Sequence, residues 1–306
     1  MAELTEIAHG LRFPEGPIAM PDGSVVLVEM FGERLSRVGS DGAVTTVAEI
    51  AGGPNGAAVG PDGAFYVCNN GRCFTPVDLG GMVLPGPFDP DRYIGGRVQR
   101  VDAVSGEVTD LYTHCDGRPL RAPNDLVMDG RGGFYFTDHG IRDHAARTSD
   151  LTGIYYARCD GSAISEVVFP VEAPNGIGLS PDGDVLYWAE TQHGRVFQRR
   201  VEGPGEVIKP PPLEPGLLCG LADMQLLDSL AVDGDGWVCV ATILNGGVTA
   251  VSPDGATVEH HATDDLLTTN VCFGGEDLRT AYVTLSSSGR LVSMRWPRPG
   301  LRLAHQ

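Results

Sequence analysis

Short apolar strands separated by turn residues recur along the whole chain. Runs of β-forming residues follow a turn rich in Pro, Asp and Gly at 25–28, 64–67, 134–137, 185–188 and 237–240, and a weaker copy spans 280–284. Proline fixes φ and glycine accepts a positive φ, so a sequence such as Pro21-Asp22-Gly23 predicts a tight hairpin turn. The pattern therefore predicts six β-hairpins.

Each repeat continues with two further strands. A glycine precedes a third alternating strand, as in 96–101 and 289–293, and a fourth begins near a Gly-x-Val-Thr stretch such as 106–109. A solenoid or a sandwich is the alternative, but a sandwich would not repeat one four-stranded unit six times. We expect an all-β fold, a six-bladed β-propeller of four-stranded antiparallel blades formed by residues 1–306 as one domain. The sixth repeat has three strands, and segment 4–9 is expected to add the fourth and close the ring.

One position of the repeat always carries a side-chain oxygen. It opens the first strand of each blade, and the six residues are Glu15, Asn55, Asn124, Asn175, Asp228 and Asn270. The first strand lies nearest the propeller axis, so these oxygens should converge at one end of the central channel, where hard divalent cations favour such ligands. The alternative is that Asn and Asp only shape turns before the strands. That alternative explains poorly why a glutamate occupies the same position.

The second strand of each blade runs back to the same opening. Residues at its end should therefore surround the mouth, and they include Asn70, His139 and Glu190. For His139 and for His193, an ordinary surface position is the alternative. The long connections 71–95 and 140–152 are expected to wall a pocket above the cation, or else to pack on the body or a second subunit. Apolar candidates for its lining are Phe74, Met82, Phe88 and Tyr93.

Composition narrows the class of function. The formal charge of −18, from 40 acidic and 22 basic residues, disfavours nucleic acid and anionic membranes as partners. The first residues lack the pattern of a secretion signal and no window reaches the length of a membrane span, so we expect a cytoplasmic protein. The seven cysteines form no Cys-x-x-Cys pair and are expected to be reduced and packed in the core.

These motifs resemble the senescence marker protein, gluconolactonase and luciferin-regenerating enzyme family. The resemblance rests on Pro14-Glu15-Gly16-Pro17, on 123–126 with 137–138, on 175–177 with 181–183, and on 228–234. It implies a six-bladed propeller and a divalent-metal-dependent lactonase or related ester hydrolase.

The resemblance also implies roles for individual residues. The family's metal ligands fall on Glu15, Asn175 and Asp228, and Asn124 is a metal or substrate contact. Arg121 is the nearest match to a substrate-binding arginine, and Asp138 matches a position proposed as acid or base.

Lactone hydrolysis requires a polarised carbonyl and an activated water, and one divalent cation supplies both. We expect Ca²⁺, with Zn²⁺, Mn²⁺, Mg²⁺ or Fe²⁺ as alternatives, and a small-molecule substrate. Asp138 is the expected base, with Asp228 also catalytic, and Asn70, His139 and Glu190 are expected to contact substrate. The sequence contains no Gly-x-Ser-x-Gly motif, so a serine hydrolase is not expected.

Two alternatives to a lactonase remain open, and neither the oligomeric state nor the substrate is fixed by these patterns. The first is another reaction at the same cation, such as phosphotriester hydrolysis, dehydration or isomerisation. The second is a non-enzymatic propeller that binds a ligand. The acidic mouth favours neutral lactones over highly anionic substrates.

Overall fold

Six small antiparallel sheets form a six-bladed propeller in the computed structural model, which describes residues 3–214 and 216–305. From the axis outwards, blade 1 contains Pro14–Ala19, Val25–Glu29, Arg34–Val38 and Val44–Glu49. Blade 2 contains Pro54–Val59, Phe65–Asn69, Arg97–Val101 and Val108–Tyr112. Blade 3 contains Pro123–Met128, Gly133–Asp138, Thr152–Arg158 and Ile164–Val171. The predicted all-β propeller is confirmed.

The remaining blades follow the same order from the axis. Blade 5 contains Leu226–Val232, Val238–Ile243, Gly247–Val251 and Val258–Ala262, and blade 6 contains Thr268–Gly274, Thr280–Leu285, Arg290–Arg295 and Thr5–Ala8. Three two-stranded ribbons lie outside the blades: Pro76–Asp78 with Val83–Pro85, His114–Cys115 with Arg118–Pro119, and Arg142–Asp143 with Thr148–Ser149.

Blade 4 departs from the expected four strands. After Pro174–Leu179 and Val185–Glu190, its long third strand Arg195–Gly203 pairs with two short pieces, Glu206–Val207 and Leu217–Gly220. The chain between these pieces contains three consecutive prolines at 210–212. Proline has no N–H to donate to a ladder, so a continuous fourth strand is interrupted there.

The strand nearest the start of the chain closes the ring. Thr5 pairs with Ser293 and Ala8 with Leu291, which makes Thr5–Ala8 the outer strand of blade 6. The outer edge of that blade is thereby paired with the beginning of the chain, as predicted.

Apolar side chains are buried between neighbouring blades. One cluster joins Tyr66 and Val98 of blade 2 to Leu126, Phe134 and Phe136 of blade 3. The innermost strands of successive blades pack side by side around the axis. Successive side chains of a strand point to opposite faces of its sheet, so they pack in the layers between neighbouring blades or lie along the channel.

Residues 297–305, which we call the floor segment, cross the channel at the end opposite the mouth. The Gly300 amide donates to the Leu278 carbonyl oxygen at 2.7 Å, and the Arg298 guanidinium donates to Asp233 of blade 5 at 2.6 Å. Leu301 and Leu303 line a cavity of about 70 Å³ together with residues of the innermost strands. The lower end of the channel is therefore covered by apolar side chains.

All seven cysteines are free, and Cys219 alone among them is not fully buried. This arrangement agrees with the expectation that the cysteines are reduced and packed in the core. Across residues 3–214 and 216–305, no helix is long and apolar enough to cross a membrane.

Candidate active site

The six predicted ring residues lie at the mouth end of the innermost strands and are all buried, with 2 to 7% of their surface exposed. In every blade the pairing between the first and second strands shifts register next to this residue, for example between Glu15 and Ile18 and between Leu227 and Leu230. A β-bulge redirects a side chain and ends regular pairing. The repeated bulge is thus the local feature that positions the ring residues.

Direct contacts connect the ring residues of different blades. Asn270 donates to the Glu15 carboxylate at 3.4 Å, and the Ser229 hydroxyl donates to Asn175 Oδ1 at 3.5 Å. Burial raises the pKa of both Glu15 and Asp228; at Glu15 the charge of Asp228 adds to the rise, and at Asp228 a hydrogen bond from Asn175 opposes it. Residues far apart in the chain are therefore neighbours around the axis.

Glycine after the ring residue allows the innermost strands to approach closely. A Cβ at Gly56 would lie 2.6 Å from the Asn124 carbonyl oxygen, and one at Gly176 would lie 2.3 Å from the Leu230 amide nitrogen. Contacts this short exclude any side chain. The glycines of the Pro-Asn-Gly motifs thus allow a short distance between neighbouring innermost strands at the ring.

Asp125 occupies the position that glycine holds in blades 1, 2 and 4, and sequence reasoning missed it. Burial raises its pKa to about 7, and hydrogen bonds from the Leu126 amide and the Ser229 side chain oppose that rise. Burial, followed by the charges of Asp228 and Asp125, also raises the pKa of Glu15 well above its usual range. Three buried carboxyl groups therefore disfavour one another's ionisation.

The donor set fits a hard cation. Asn55 Oδ1 and Asn124 Oδ1 are buried without a hydrogen-bond partner, and the groups that shift the pKa of Glu15 and Asp228 include no Lys or Arg. Within residues 3–214 and 216–305, no cluster of three His, Cys, Asp or Glu side chains has metal-binding geometry. The ring instead offers carboxylate and amide oxygens together, the mixture that Ca²⁺ accepts.

Asp138 and Arg121 belong to one hydrogen-bonded unit beside the ring, which we call the bracket and which also includes Ala122, Gly140 and Asp150. Both Asp138 carboxylate oxygens accept backbone N–H groups, from Arg121 and Ala122 at 2.7 Å each and from Gly140 at 3.0 Å. The Arg121 Nε donates to Asp150 at 2.7 Å. Asp138 thus holds the backbone that carries Arg121, and its role as a base stays a prediction. Sequence spacing gave no signal for Asp150.

Asn70, His139 and Glu190 lie at the ends of second strands, as predicted, in three different settings. Asn70 Oδ1 accepts the Arg72 amide at 3.1 Å and shapes the following loop. His139 lies edge-on to Phe74, and burial lowers its pKa. Glu190 pairs with His193 Nδ1 at 2.9 Å. Their contacts with substrate stay predictions.

The two long loops enclose a cavity of about 500 Å³ above blades 2 to 4. Phe74 and Phe88 line it, as predicted, together with Pro87, Ile141 and Arg142. Tyr93 lies behind Phe88 with the ring centroids 5.5 Å apart, and Met82 is more than a third exposed. The loops therefore form one wall of a pocket at the mouth.

A closed six-bladed propeller with a buried ring of oxygen-bearing side chains at one channel end defines the class of this protein. The model of the SMP-30/Gluconolactonase/LRE-like region matches residues 13–287, so the chain belongs to that family.

Individual relatives agree with this membership. The chain is 28% identical over 203 residues to Lactonase drp35 from Staphylococcus haemolyticus (strain JCSC1435), a match that covers 66% of this chain and 55% of that protein. The match thus spans about half the length of the curated relative.

Solved structures show the same fold. A gluconolactonase from Xanthomonas campestris has a TM-score of 0.75 at 20% identity, with 97% of this chain and 90% of that chain covered. Regucalcin from Agrobacterium tumefaciens, described as a calcium-binding protein, has a TM-score of 0.73 at 16% identity, with 99% and 98% covered.

Proposed function

We propose that this protein hydrolyses a small lactone or related cyclic ester at the mouth, with one divalent cation, Ca²⁺ foremost, held by Glu15, Asn175 and Asp228. The observation that carries the proposal is the set of buried, mutually destabilising carboxyl groups beside unpartnered amide oxygens. The relative named a lactonase and the structural neighbour described as calcium-binding support it.

A divalent cation at such a site supplies Lewis acidity to a carbonyl oxygen and lowers the pKa of a nearby water. The protein's own residues supply the rest. Asn124 orients the lactone through its free Oδ1 or its amide, and the Arg121 guanidinium binds an oxygen of the substrate. The Asp138 carboxylate keeps the backbone of Arg121 and Ala122 in place for this contact.

Proton transfer falls to the acidic residues of the mouth. A carboxylate oxygen of Asp228 accepts the proton of the attacking water and returns it to the alcohol released by ring opening. Burial raises the pKa of Asp228, and a bound cation would oppose that rise and keep the carboxylate in the ionised form that accepts a proton.

The test compares chelator-treated protein with protein restored by Ca²⁺, Mn²⁺, Zn²⁺ or Mg²⁺. Both are assayed against sugar lactones, aromatic lactones and a phosphotriester. We expect lactone hydrolysis that disappears with the chelator and returns with a cation. Phosphotriester turnover alone would establish the alternative reaction, and binding of cation without turnover would establish a ligand-binding propeller.

A further inference from the structure

The cavity above blades 2 to 4 differs in charge from the rest of the molecule. The chain carries a net charge of −18, yet none of the described residues that line this cavity is Asp or Glu. Arg142 lines it together with His139 and His144, and Arg142 carries a permanent positive charge, whereas burial lowers the pKa of His139. A negatively charged ligand in the cavity therefore meets an arginine and no lining carboxylate, although Glu172, outside the lining, accepts a hydrogen bond from that arginine.

Arg142 lines the cavity and leaves most of its hydrogen-bond donors unused. Its Nη2 donates to Glu172 at 3.2 Å, and the second Glu172 oxygen lies 3.4 Å from His193. By contrast, Arg72 forms a two-pronged pair with Glu33 at 2.7 and 2.8 Å. A guanidinium has five N–H donors, so Arg142 retains a donor edge for a carboxylate.

Much of the remaining lining of the cavity is apolar. Phe74, Pro85, Pro87, Phe88 and Ile141 line it, and Phe88 is held edge-on against Tyr93. Aromatic and proline side chains favour a flat apolar ligand, whereas a polyhydroxylated sugar ring needs a polar partner for each hydroxyl. A volume of about 500 Å³ suits a bicyclic molecule.

The cavity adjoins the ring of oxygen ligands. Gln192 lines it, and the preceding residue, Thr191, accepts a hydrogen bond from Asn175 at 3.2 Å. His139 also lines it and follows Asp138 of the bracket directly. A ligand body in the cavity can thus present an attached ring to the mouth.

We propose that the cavity takes a flat, apolar lactone that bears a carboxylate or similar anionic group, and that Arg142 selects for this group. The inference rests on the proposed lactone hydrolysis at the neighbouring ring. It differs from the preference for neutral lactones that the acidic mouth suggests, because Arg142 would bind the anionic group in the cavity, whose lining contains no carboxylate, and not at the ring.

The test uses two bicyclic aromatic lactones that are identical except that one carries a carboxylate and the other a carboxamide. We expect kcat/KM of the wild type to be about tenfold higher for the carboxylate. Arg142→Gln should bring this ratio close to one, mainly through KM, and Arg142→Lys should retain part of it. Arg147→Gln, which removes the same charge from an exposed residue of the same loop, should leave the ratio unchanged.

A structural role for Arg142 gives a different outcome. If Arg142 only held Glu172, then Glu172→Gln would abolish the preference as Arg142→Gln does. Our proposal expects Glu172→Gln to retain or increase it, because the guanidinium loses a competing acceptor. Equal turnover of both lactones by the wild type, or equal effects of Arg142→Gln and Arg147→Gln, would overturn the proposal.

A binding measurement separates this inference from the proposed reaction. The lactam analogues of the two compounds resist hydrolysis, and calorimetry measures their affinity directly. Preferential binding of the lactam carboxylate, lost in Arg142→Gln, supports the inference even if no lactone is turned over. Equal affinity for the two lactams contradicts it even if lactones are hydrolysed.

Discussion

The two ends of the channel differ in whether their buried acidic side chains have a basic partner. At the floor, Asp233 is fully buried, accepts the Trp237 amide at 2.9 Å and pairs with Arg298, which also lies over the Trp237 ring. At the mouth, Glu15 and Asp228 are buried near each other without a basic partner. Loss of one partner of a buried ion pair leaves an unpaired charge and destabilises the fold, whereas carboxylates that are unpaired from the outset favour a bound cation.

Removal of a mouth carboxylate should separate activity from stability most clearly. We expect Asp228→Ala to lower lactone turnover by about 1000-fold or more, because a ligand and proton acceptor are lost together. The closed ring should keep its far-ultraviolet circular dichroism. Glu276→Ala, at an exposed acidic residue, is the matched control. Wild-type turnover in Asp228→Ala would refute the assignment of the mouth.

Removal of a charged side chain at the floor should lower stability and leave activity unchanged. Arg298→Ala leaves Asp233 buried without its cation, and we expect unfolding in urea to become easier by about 3 kcal/mol. Lactone turnover at 25 °C should stay close to that of the wild type. Arg302→Ala, an exposed change in the same segment, should have little effect. Loss of turnover in a folded Arg298→Ala protein would mean that the two ends are coupled.

The pH dependence of stability should reveal the strain at the mouth in chelator-treated protein. The pKa of Asp125 is raised from 3.8 to about 7, so between these values the folded state binds more protons than the unfolded state. Stability therefore falls as pH rises through this window. We expect a loss of about 1–2 kcal/mol, since local relaxation softens the electrostatics of buried groups.

Thermal unfolding from pH 4 to 8 measures this effect. Asp125→Asn should show a flatter profile, because its amide does not titrate. The same slope in Asp125→Asn and in the wild type would exclude Asp125 as its source.

The smallest effect is expected from the loop that walls the cavity. Replacing the ribbon 76–85 by a short Gly-Ser linker should change the relative kcat/KM among lactones by roughly two- to tenfold. Cation affinity, measured by calorimetry, should change less than twofold because the ring residues lie on the strands. Weakened cation binding with unchanged preference would contradict the assignment of this loop as a wall of the pocket.

The fold and the ring were predictable because their chemistry repeats at regular positions. A turn rich in Asp and Gly and an oxygen-bearing residue at the start of the first strand mark the blades independently of long-range contacts. The closing strand was predictable for the same reason, since three strands in the sixth repeat left a place for 4–9.

Other features depend on contacts that do not repeat. Asp125 reads as a turn residue because glycine stands at that position in Pro54-Asn55-Gly56. The pair of Arg298 and Asp233 joins residues 65 positions apart, and only the tertiary structure shows it. The lining of the cavity likewise depends on how two loops meet, which no periodic pattern reports.

The pairing of strand Thr5–Ala8 also determines when the fold can be completed during synthesis. A ribosome makes it well before its partner Arg290–Arg295, so it must wait for the chain between them before it pairs. The Ser286 hydroxyl, which bonds the Pro14 carbonyl oxygen at 2.6 Å, is joined to its partner equally late. A chain that ends before Arg290–Arg295 therefore lacks the closed ring, and binding of the proposed cation would mark the molecules in which the ring is closed.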